Sequence, residues 1–149
     1  MISFLDIVTT ICLGLLIGTE LAVSVFINPI LRKLDDPAQA HAIGLFARRL
    51  GGSMPFWYVA SLLLLIIEAI MRRHESGEAL RIVASAIWAA VIVHTVVVLV
   101  PINNRMTRLD SNAFSPEEQR EHKKWDSLHR WRVVALLTAL VCFLVAVRL

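Results

Sequence analysis

The sequence predicts an all-α fold, a four-transmembrane-helix bundle that forms one domain over residues 1–149. First, 57% of the residues are hydrophobic and only 18% are charged, and a soluble domain of this size cannot bury so much apolar surface in one core. Second, four apolar runs approach the roughly 20 helical residues that are needed to cross a bilayer. The predicted spans are approximately residues 5–31, 54–73, 80–101 and 116–148, the last including an extramembrane start.

The first predicted span is a retained membrane helix rather than a signal peptide. The residues ahead of it include Asp6 and no Lys or Arg, and the apolar run outlasts a typical signal core. Gly14 and Gly18 form a small-xxx-small pattern, which lets another helix approach closely. Helix packing is the plainer explanation, and the pattern also permits a homo-oligomer through these glycines.

The loop after the first span contains "DDPAQAHAIGLFARRLGG", which predicts a short amphipathic helix at the membrane interface. Asp36 is suited to cap this helix, Pro37 to occupy its first position and Gln39 to complete a capping box. Gly51 is suited to end it. The next loop, "RRHESGEALR", is short and charged, and we interpret it as a solvated turn without chemistry.

The fourth span is predicted to begin well outside the membrane. In "SPEE", Ser115 is an N-cap candidate, Pro116 suits the first helical position and Glu118 can reach back to the cap. No Gly or Pro follows, so the helix is predicted to run unbroken to Arg148. At 1.5 Å per residue it is roughly 50 Å long, beyond a hydrocarbon core of approximately 30 Å. Its first three or four turns therefore project from the membrane.

Positive charges predict the orientation of the bundle. Eleven of the 15 Lys and Arg residues lie in or beside the first and third loops, and four lie on the other side. This bias places both loops in the cytoplasm and both termini outside, in what we expect to be a bacterial inner membrane. The net charge of +3 is explained by anionic lipid headgroups. Nucleic acid is therefore not an expected partner.

Polar residues converge at one end of the predicted bundle. Because the spans alternate in direction, the end of span one, the end of span three and the start of span four meet on one membrane face. The polar residues at these ends are Glu20, Ser24 and Asn28 in span one, His94, Asn103 and Asn104 in span three, and His122, Trp125, His129 and Arg132 in span four. Spacings of three and four place the residues of span one, and likewise those of span four, along one helix face. Together they predict a lined pocket.

Glu20 is the most costly of these residues to bury. An acidic residue near the middle of a bilayer opposes insertion by roughly 3 kcal/mol. Counting back from Leu31 at 1.5 Å per residue, Glu20 lies about 16 Å below the end of its helix. It is therefore predicted to face the bundle interior, either protonated or paired with a partner.

Each polar residue also has a structural explanation. Trp125 suits an aromatic belt at the membrane interface, and Asn103 and Asn104 can end the third helix. Asp126 can either orient His129 or pair with Arg130. Elsewhere, His94 suits a buried hydrogen-bonded position, Glu68 can reach the headgroups near Arg72, and Trp131 and Arg130 can face the headgroups.

Three short motifs occur in an order that resembles a known family. These are "FINP" (Phe26 to Pro29), "VPINNR" (Val100 to Arg105) and "WDSLHRWR" (Trp125 to Arg132), preceded by Glu20 in span one. The pattern resembles the four-span DUF1772 family, also called anthrone oxygenase-like, over nearly the whole chain. The resemblance implies oxidation of anthrones to anthraquinones in aromatic polyketide pathways, without a tightly bound cofactor. The recurrent polar positions of the family fall on Glu20, Asn28, Asn103, Asn104, Trp125, His129 and Arg132.

The resemblance implies a role for each of these residues. An anthrone loses a proton from its activated methylene to give an electron-rich enolate that reacts with dioxygen. His129 is the first candidate base because imidazole titrates near neutrality, and Glu20 is the second. Arg132, with Asn103 and Asn104, can stabilise the oxyanion. Substrate binding is assigned to four residues, with Trp125 stacking on a planar ring: Asn28, Asn103, Asn104 and Trp125.

Two other classes of function stay open at this point. Glu20, His94 and His129 supply the ligand types of a two-histidine, one-carboxylate iron site, and copper and haem stay open as alternatives. The second alternative is a non-enzymatic membrane protein that binds or transports a small molecule, or assists a partner. In every case the expected partners are membrane lipid and an apolar or aromatic small molecule.

Overall fold

The computed structural model describes residues 3–106 and 115–149 of the chain. Within these residues the protein is entirely helical, and short π-helical segments interrupt two of its four rods. In chain order the elements are α1 (Phe4–Ala22), π1 (Val23–Ile27), α2 (Asn28–Leu31), α3 (Asp36–Met71), α4 (Glu78–His94), π2 (Thr95–Leu99), α5 (Val100–Met106) and α6 (Pro116–Arg148). The rods α1–π1–α2, α3, α4–π2–α5 and α6 are each long and apolar enough to cross a membrane. The predicted fold class is confirmed.

The surface of the bundle fits a multi-pass integral membrane protein. Large apolar side chains project outwards from all four rods, among them Phe4, Phe56, Val97 and Val141, which are 82%, 79%, 66% and 57% exposed. Such a surface is stable in contact with lipid chains rather than with water. Arg108, one of the basic residues behind the predicted orientation, lies outside the described residues.

The start of α6 follows the prediction closely. Ser115 is its N-cap: the hydroxyl of Ser115 accepts from the Glu118 backbone N–H, and the Glu118 carboxylate accepts from the Ser115 backbone N–H at 2.7 Å. This capping box satisfies two of the free N–H groups of the first turn. From there α6 runs unbroken to Arg148.

The predicted short helix of the first loop is not a separate element. It is the first part of α3, which continues through Gly51 to Met71, and its N-cap is Asp35 rather than Asp36. Gly51 lies inside this helix and does not end it. The residue allows close packing, since a Cβ atom there would lie 2.9 Å from Nδ2 of Asn103. Pro55 also lies inside α3, where it leaves the Gly51 carbonyl without its helical donor.

The main core occupies the half of the bundle away from the polar end. It is built from apolar side chains of all four rods, chiefly Leu13, Leu16, Leu65, Trp88, Leu136 and Phe143, which are at most 1% exposed. A smaller apolar cluster joins α2, the start of α3 and α5, and it consists of Leu31, Ala40, Ile43, Ala47, Ile102 and Met106. The space between the two clusters is the cavity described below.

The turn between α3 and α4 is more than a solvated connection. Gly77 has φ +85, and a Cβ atom there would lie 2.7 Å from the backbone oxygen of Ala146. Arg81 is 3% exposed and donates to the Ser76 and Ala146 carbonyls at 3.0 Å each. Glu68 is fully buried rather than at the headgroups, with Oε2 3.5 Å from Nε of Arg72. The end of α6 thus packs against this turn and is hydrogen-bonded to Arg81.

Candidate functional site

A cavity of about 470 Å³ lies at the end of the bundle where α2, α3, α5 and the first half of α6 meet. Apolar side chains form most of its wall, including Val23, Ile27, Ile43, Met54 and Leu99. The structure brings all seven residues of the predicted site to this cavity: Glu20, Asn28, Asn103, Asn104, Trp125, His129 and Arg132. The structure thus places these polar residues together at one end of the bundle, where alternating spans predict them.

The deep end of the cavity holds a buried polar network, defined as Glu20, Tyr58, His129 and Arg132. Glu20 is 3% exposed, and each of its carboxylate oxygens has its own donor. The Tyr58 hydroxyl donates to Oε1 at 2.7 Å, and Nη2 of Arg132 donates to Oε2 at 2.7 Å. The Arg132 guanidinium also lies over the Tyr58 ring, 5.7 Å from its centroid. The charge of Glu20 is thus balanced inside the bundle.

Both ring nitrogens of His129 are engaged in this network. Nε2 lies 3.1 Å from the backbone oxygen of Glu20, and Nδ1 lies 2.7 Å from Nη2 of Arg132. A carbonyl oxygen can only accept and a guanidinium can only donate. The geometry therefore corresponds to a neutral imidazole that carries its hydrogen on Nε2. Nδ1 is also 3.3 Å from Oε2 of Glu20. Moving Arg132 would therefore remove a hydrogen-bond donor from both Glu20 and His129.

Three rings are stacked in a row on α6. The Trp125 indole is nearly parallel to His122 and His129, at interplanar angles of 8° and 9° and centroid distances of 6.2 and 4.8 Å. His122 precedes Trp125 by one helical turn and His129 follows it by one, so the imidazoles lie on either side of the indole along the helix. The indole edge is therefore the part that is directed at the cavity.

Asp126 positions one of the predicted binding residues. It is 3% exposed, and its Oδ1 accepts from Nδ2 of Asn28 at 2.7 Å. Its Oδ2 accepts from Arg130 at 3.2 Å and lies 3.5 Å from Arg32. Of the two roles considered for Asp126, these contacts match the pairing with Arg130, and they add a link between α6 and α2.

The amides of α5 form another part of the wall. Nδ2 of Asn103 donates to the backbone oxygen of Ala47 at 3.3 Å, beside Gly51 on α3. Asn104 is the next residue on α5 and is exposed at the cavity mouth. These two residues do not end the third rod, since α5 continues to Met106.

The π-helical segments explain where the sequence-based spacing does not hold. Ser24 was expected on the same face as Glu20 and Asn28, but it does not line the cavity, whereas Val23 and Ile27 do. A π-helical turn adds a residue to the helix and rotates the faces that follow it. Both segments, π1 and π2, contribute residues to the cavity wall.

Tyr58 is a residue of the network that the sequence analysis missed. It is the sole tyrosine of the chain, it lies within an apolar span, and it is 4% exposed. A buried tyrosine hydroxyl needs a hydrogen-bond partner. A lone tyrosine in a membrane span was therefore a usable signal for an acceptor such as Glu20.

The ligand set considered for iron is not assembled. Among residues 3–106 and 115–149, no three His, Cys, Asp or Glu side chains are grouped so that they could hold a metal ion. His94 ends α4 and is not among the residues that line the cavity. Glu20 and His129 are instead engaged with Arg132.

The fold and the site define the class of protein: a four-span integral membrane protein with an apolar cavity that ends in a buried network of charged and polar groups. The chain belongs to the anthrone oxygenase family, whose model matches residues 37–142. This match confirms the family indicated by the sequence motifs, and it includes Asn103, Asn104, Trp125, His129 and Arg132. Glu20 and Asn28 lie ahead of the matched region. No curated protein and no solved structure matches the chain.

Proposed function

We propose that this protein is a membrane oxygenase that oxidises a reduced aromatic ketone of the anthrone type in the cavity. The observation that carries the proposal is the buried polar network, placed at the inner end of an otherwise apolar cavity of about 470 Å³. Ligand pockets of this kind have volumes of roughly 300–1,000 Å³ and are apolar with a few polar groups that orient the ligand. A planar anthrone partitions into lipid and fits such a site.

The overall reaction is balanced without a further reductant. The anthrone methylene loses a proton, and the carbanionic carbon forms a bond to dioxygen. The peroxide anion then takes up one proton, and the hydroperoxide loses water to give the quinone. One anthrone and one dioxygen thus yield one anthraquinone and one water. The protein must supply a base for the first proton and donors that stabilise the enolate oxygen.

Arg132 links these two requirements. In the resting geometry it donates to both His129 and Glu20. When the substrate oxygen arrives, Arg132 turns towards the developing oxyanion and releases Nδ1 of His129, which then accepts the methylene proton. His129 is the first candidate base in this scheme, and Glu20 is the second because its Oε2 lies 3.3 Å from the same ring nitrogen.

The remaining residues of the site bind the substrate in this proposal. Arg132 donates to the enolate oxygen at the inner end of the cavity, whereas Asn103 and Asn104 donate to polar groups of the substrate nearer the mouth. Asn28 lies nearer the mouth, where Asp126 orients it. Trp125 contacts the substrate through its ring edge rather than its face, because the imidazoles of the stacked row lie on both sides of the indole.

Oxygen uptake with anthrone tests the proposal directly. Purified protein in nanodiscs should consume one dioxygen per anthraquinone formed, above the rate of spontaneous oxidation. His129→Ala should lower the rate by about 10²–10⁴-fold, the usual contribution of a general base. His94→Ala is the matched control and should retain the rate, since His94 does not line the cavity. A wild-type rate equal to the spontaneous rate would refute the function, and equal rates for wild type and His129→Ala would exclude His129 as the base.

A non-catalytic protein that binds or transports a small molecule, or assists a partner, is the second candidate. It is favoured by the internal hydrogen bonding of the buried polar network, which satisfies Glu20 and His129 without a ligand. Interhelical hydrogen bonds in membranes contribute about 0.6 kcal/mol each on average. If Glu20→Gln and His129→Gln lower thermal stability, and neither the wild type nor the variants oxidise anthrone, the network is structural and this candidate is preferred.

The arrangement in the membrane belongs to the same proposal. The positive charges favour the first and third loops in the cytoplasm of a bacterial cell, which places the mouth of the cavity on the cytoplasmic side. A homo-oligomer through Gly14 and Gly18 is compatible with the open space beside both residues, where an added Cβ atom would meet nothing within 4 Å. Cysteine labelling from each side of the membrane tests the orientation.

A further inference from the structure

We propose that the ligand enters the cavity sideways from the hydrocarbon layer, through a window between α3 and π2 that is flanked by Val59 and Val96. The identity of the ligand rests on the proposed function, whereas the route rests on the geometry of the cavity wall. Both valines line the cavity and both are also exposed on the outer surface of the bundle, Val59 by 51% and Val96 by 58%.

The opposite wall of the cavity is closed. On the α1–π1–α2 rod, the lining residues Val23, Asn28 and Leu31 are 5%, 3% and 6% exposed. On α6, His129 and Arg132 are 1% and 9% exposed. The openings of the cavity are therefore on the side of α3 and of the α4–π2–α5 rod.

Backbone irregularities lie on both flanks of the window. α3 packs against α4 and against α5, but its contacts with π2, which lies between them, are few. A π-helical turn is wider than an α-helical turn and is frequently found at functional sites. On the facing helix, Pro55 lines the cavity one turn before Val59 and cannot complete the helical hydrogen bonding. Both flanks of the window therefore depart from regular α-helical hydrogen bonding.

The depth of the window places it in the hydrocarbon layer. Val59 is ten residues from Arg49 and thirteen from Arg72 along α3, which corresponds to about 15 and 20 Å at 1.5 Å per residue. The hydrocarbon core is about 30 Å thick, so Val59 lies near its middle. An apolar molecule dissolved among lipid chains meets the window without leaving the bilayer.

A second opening at the cavity mouth defines the competing route. Arg48 and Asn104 line the cavity and are exposed, and Arg48 lies about 16 Å from Val59 along α3 at 1.5 Å per residue. A water-soluble ligand would use this polar mouth. A lipid-dissolved ligand would use the window, and the two routes differ in which reagents reach the cavity.

Thiol labelling of a cavity cysteine distinguishes the routes without any turnover. The background is Cys12→Ala with Cys142→Ala, since neither cysteine lines the cavity, and the reporter is Val23→Cys. The protein in phosphatidylcholine vesicles is treated either with pyrenyl maleimide dissolved in the lipid or with a maleimide that carries a trimethylammonium group and is dissolved in the water. We expect pyrenyl maleimide to label the reporter and the charged reagent to label it more slowly.

Blocking variants then test the window itself. Val96→Trp should slow labelling by pyrenyl maleimide about tenfold, which corresponds to about 1.4 kcal/mol in the barrier. Val97→Trp is the matched control, because Val97 is the next residue of π2, is 66% exposed and does not line the cavity. Val59→Trp, with Leu63→Trp as its control, repeats the test on α3 should the π2 variants fail to fold.

The outcomes separate the route from the reaction. Equal pyrenyl maleimide rates in each blocking variant and its control would overturn the window, as would faster labelling by the charged reagent than by pyrenyl maleimide. A protein that shows no anthrone oxidation but whose labelling is slowed by Val96→Trp would refute the oxygenase and support the window. A protein that oxidises anthrone equally well with and without Val96→Trp, and labels equally, would refute only the window.

Discussion

The pairing of Glu20 with Arg132 gives the sharpest test of the buried polar network. We predict that Arg132→Met and Glu20→Gln each destabilise the protein strongly, while the double variant is much less destabilised than the sum of the two. Arg132→Met leaves a carboxylate that is 3% exposed with Tyr58 as its remaining side-chain donor. Glu20→Gln leaves a buried guanidinium without its carboxylate.

The expected magnitude separates an ion pair from an ordinary interhelical hydrogen bond. Removing one partner of a buried ion pair costs about 3–5 kcal/mol, because the other charge stays uncompensated. An interhelical hydrogen bond in a membrane contributes about 0.6 kcal/mol. The side chains of Arg132 and Glu20 are 8% and 4% exposed, so solvent screening is weak and the larger figure applies. The double variant removes both charges, and a coupling free energy of about 3 kcal/mol is expected.

The assay is the equilibrium free energy of unfolding in mixed micelles, measured for the wild type, both single variants and the double variant. Each variant is reconstituted at the same protein-to-detergent ratio, and helicity is followed through the transition. If the single variants each cost less than about 1 kcal/mol and their effects add, the 2.7 Å contact contributes no more than a hydrogen bond. The charge-balance argument for Glu20 would then be wrong.

Three further predictions follow from single contacts. Gly51→Ala should displace the Asn103 amide, which lies 2.9 Å from the added Cβ atom, and weaken anthrone binding in a titration of intrinsic fluorescence. Gly52→Ala is the control: its Cβ atom meets no described atom within 4 Å, and the substitution should stabilise α3 by up to about 1 kcal/mol. Gly77→Ala should lower the melting temperature and destabilise the protein by more than about 1 kcal/mol, because φ is +85 and the new Cβ atom would lie 2.7 Å from a carbonyl oxygen of α6. An unchanged melting temperature would contradict the close approach. Tyr58→Phe should lower the free energy of unfolding by about 1.5–3 kcal/mol, since the hydroxyl donates to a buried carboxylate. A loss below about 0.5 kcal/mol in chemical unfolding would show that this donor is dispensable.

Much of the fold could be predicted because its determinants are local. Hydrophobic runs specify the four spans, and the Ser115 and Glu118 pattern specifies the start of α6, since a capping box involves residues only three apart. The convergence of polar residues at one end of the bundle also follows from alternating topology alone. No long-range contact has to be known for either inference.

The errors arise where tertiary contacts override local preferences. Gly51 is typical of a residue that ends a helix, but α3 continues through it. It packs closely against Asn103 of another rod. The spacing argument for Ser24 assumed a regular helix, and one π-helical turn is enough to rotate it off the cavity. Nothing in the local sequence around Val23–Ile27 specifies that turn.

Side-chain partners were the least predictable part of the site. Which donors Glu20 would find depends on residues 38 and 112 positions away. The stacked row on α6 also changed the expected use of Trp125, because neighbouring imidazoles occupy the sides of the indole. Such details depend on rotamers that packing selects, and helical spacing alone gives only the shared face.

The separation of Glu20 and Arg132 along the chain has a consequence for biosynthesis. The two residues are 112 positions apart, so the first span leaves the ribosome long before its cationic partner is made. During this interval Tyr58 is the partner of Glu20 that is made first, and the carboxyl group carries the insertion cost of an acidic residue near the middle of a bilayer. The last span therefore completes the neutralisation of the first, and a chain arrested before α6 would present an unbalanced acidic helix to membrane quality-control proteases. The ion pair between the first and the last span therefore forms only after the whole chain has been inserted.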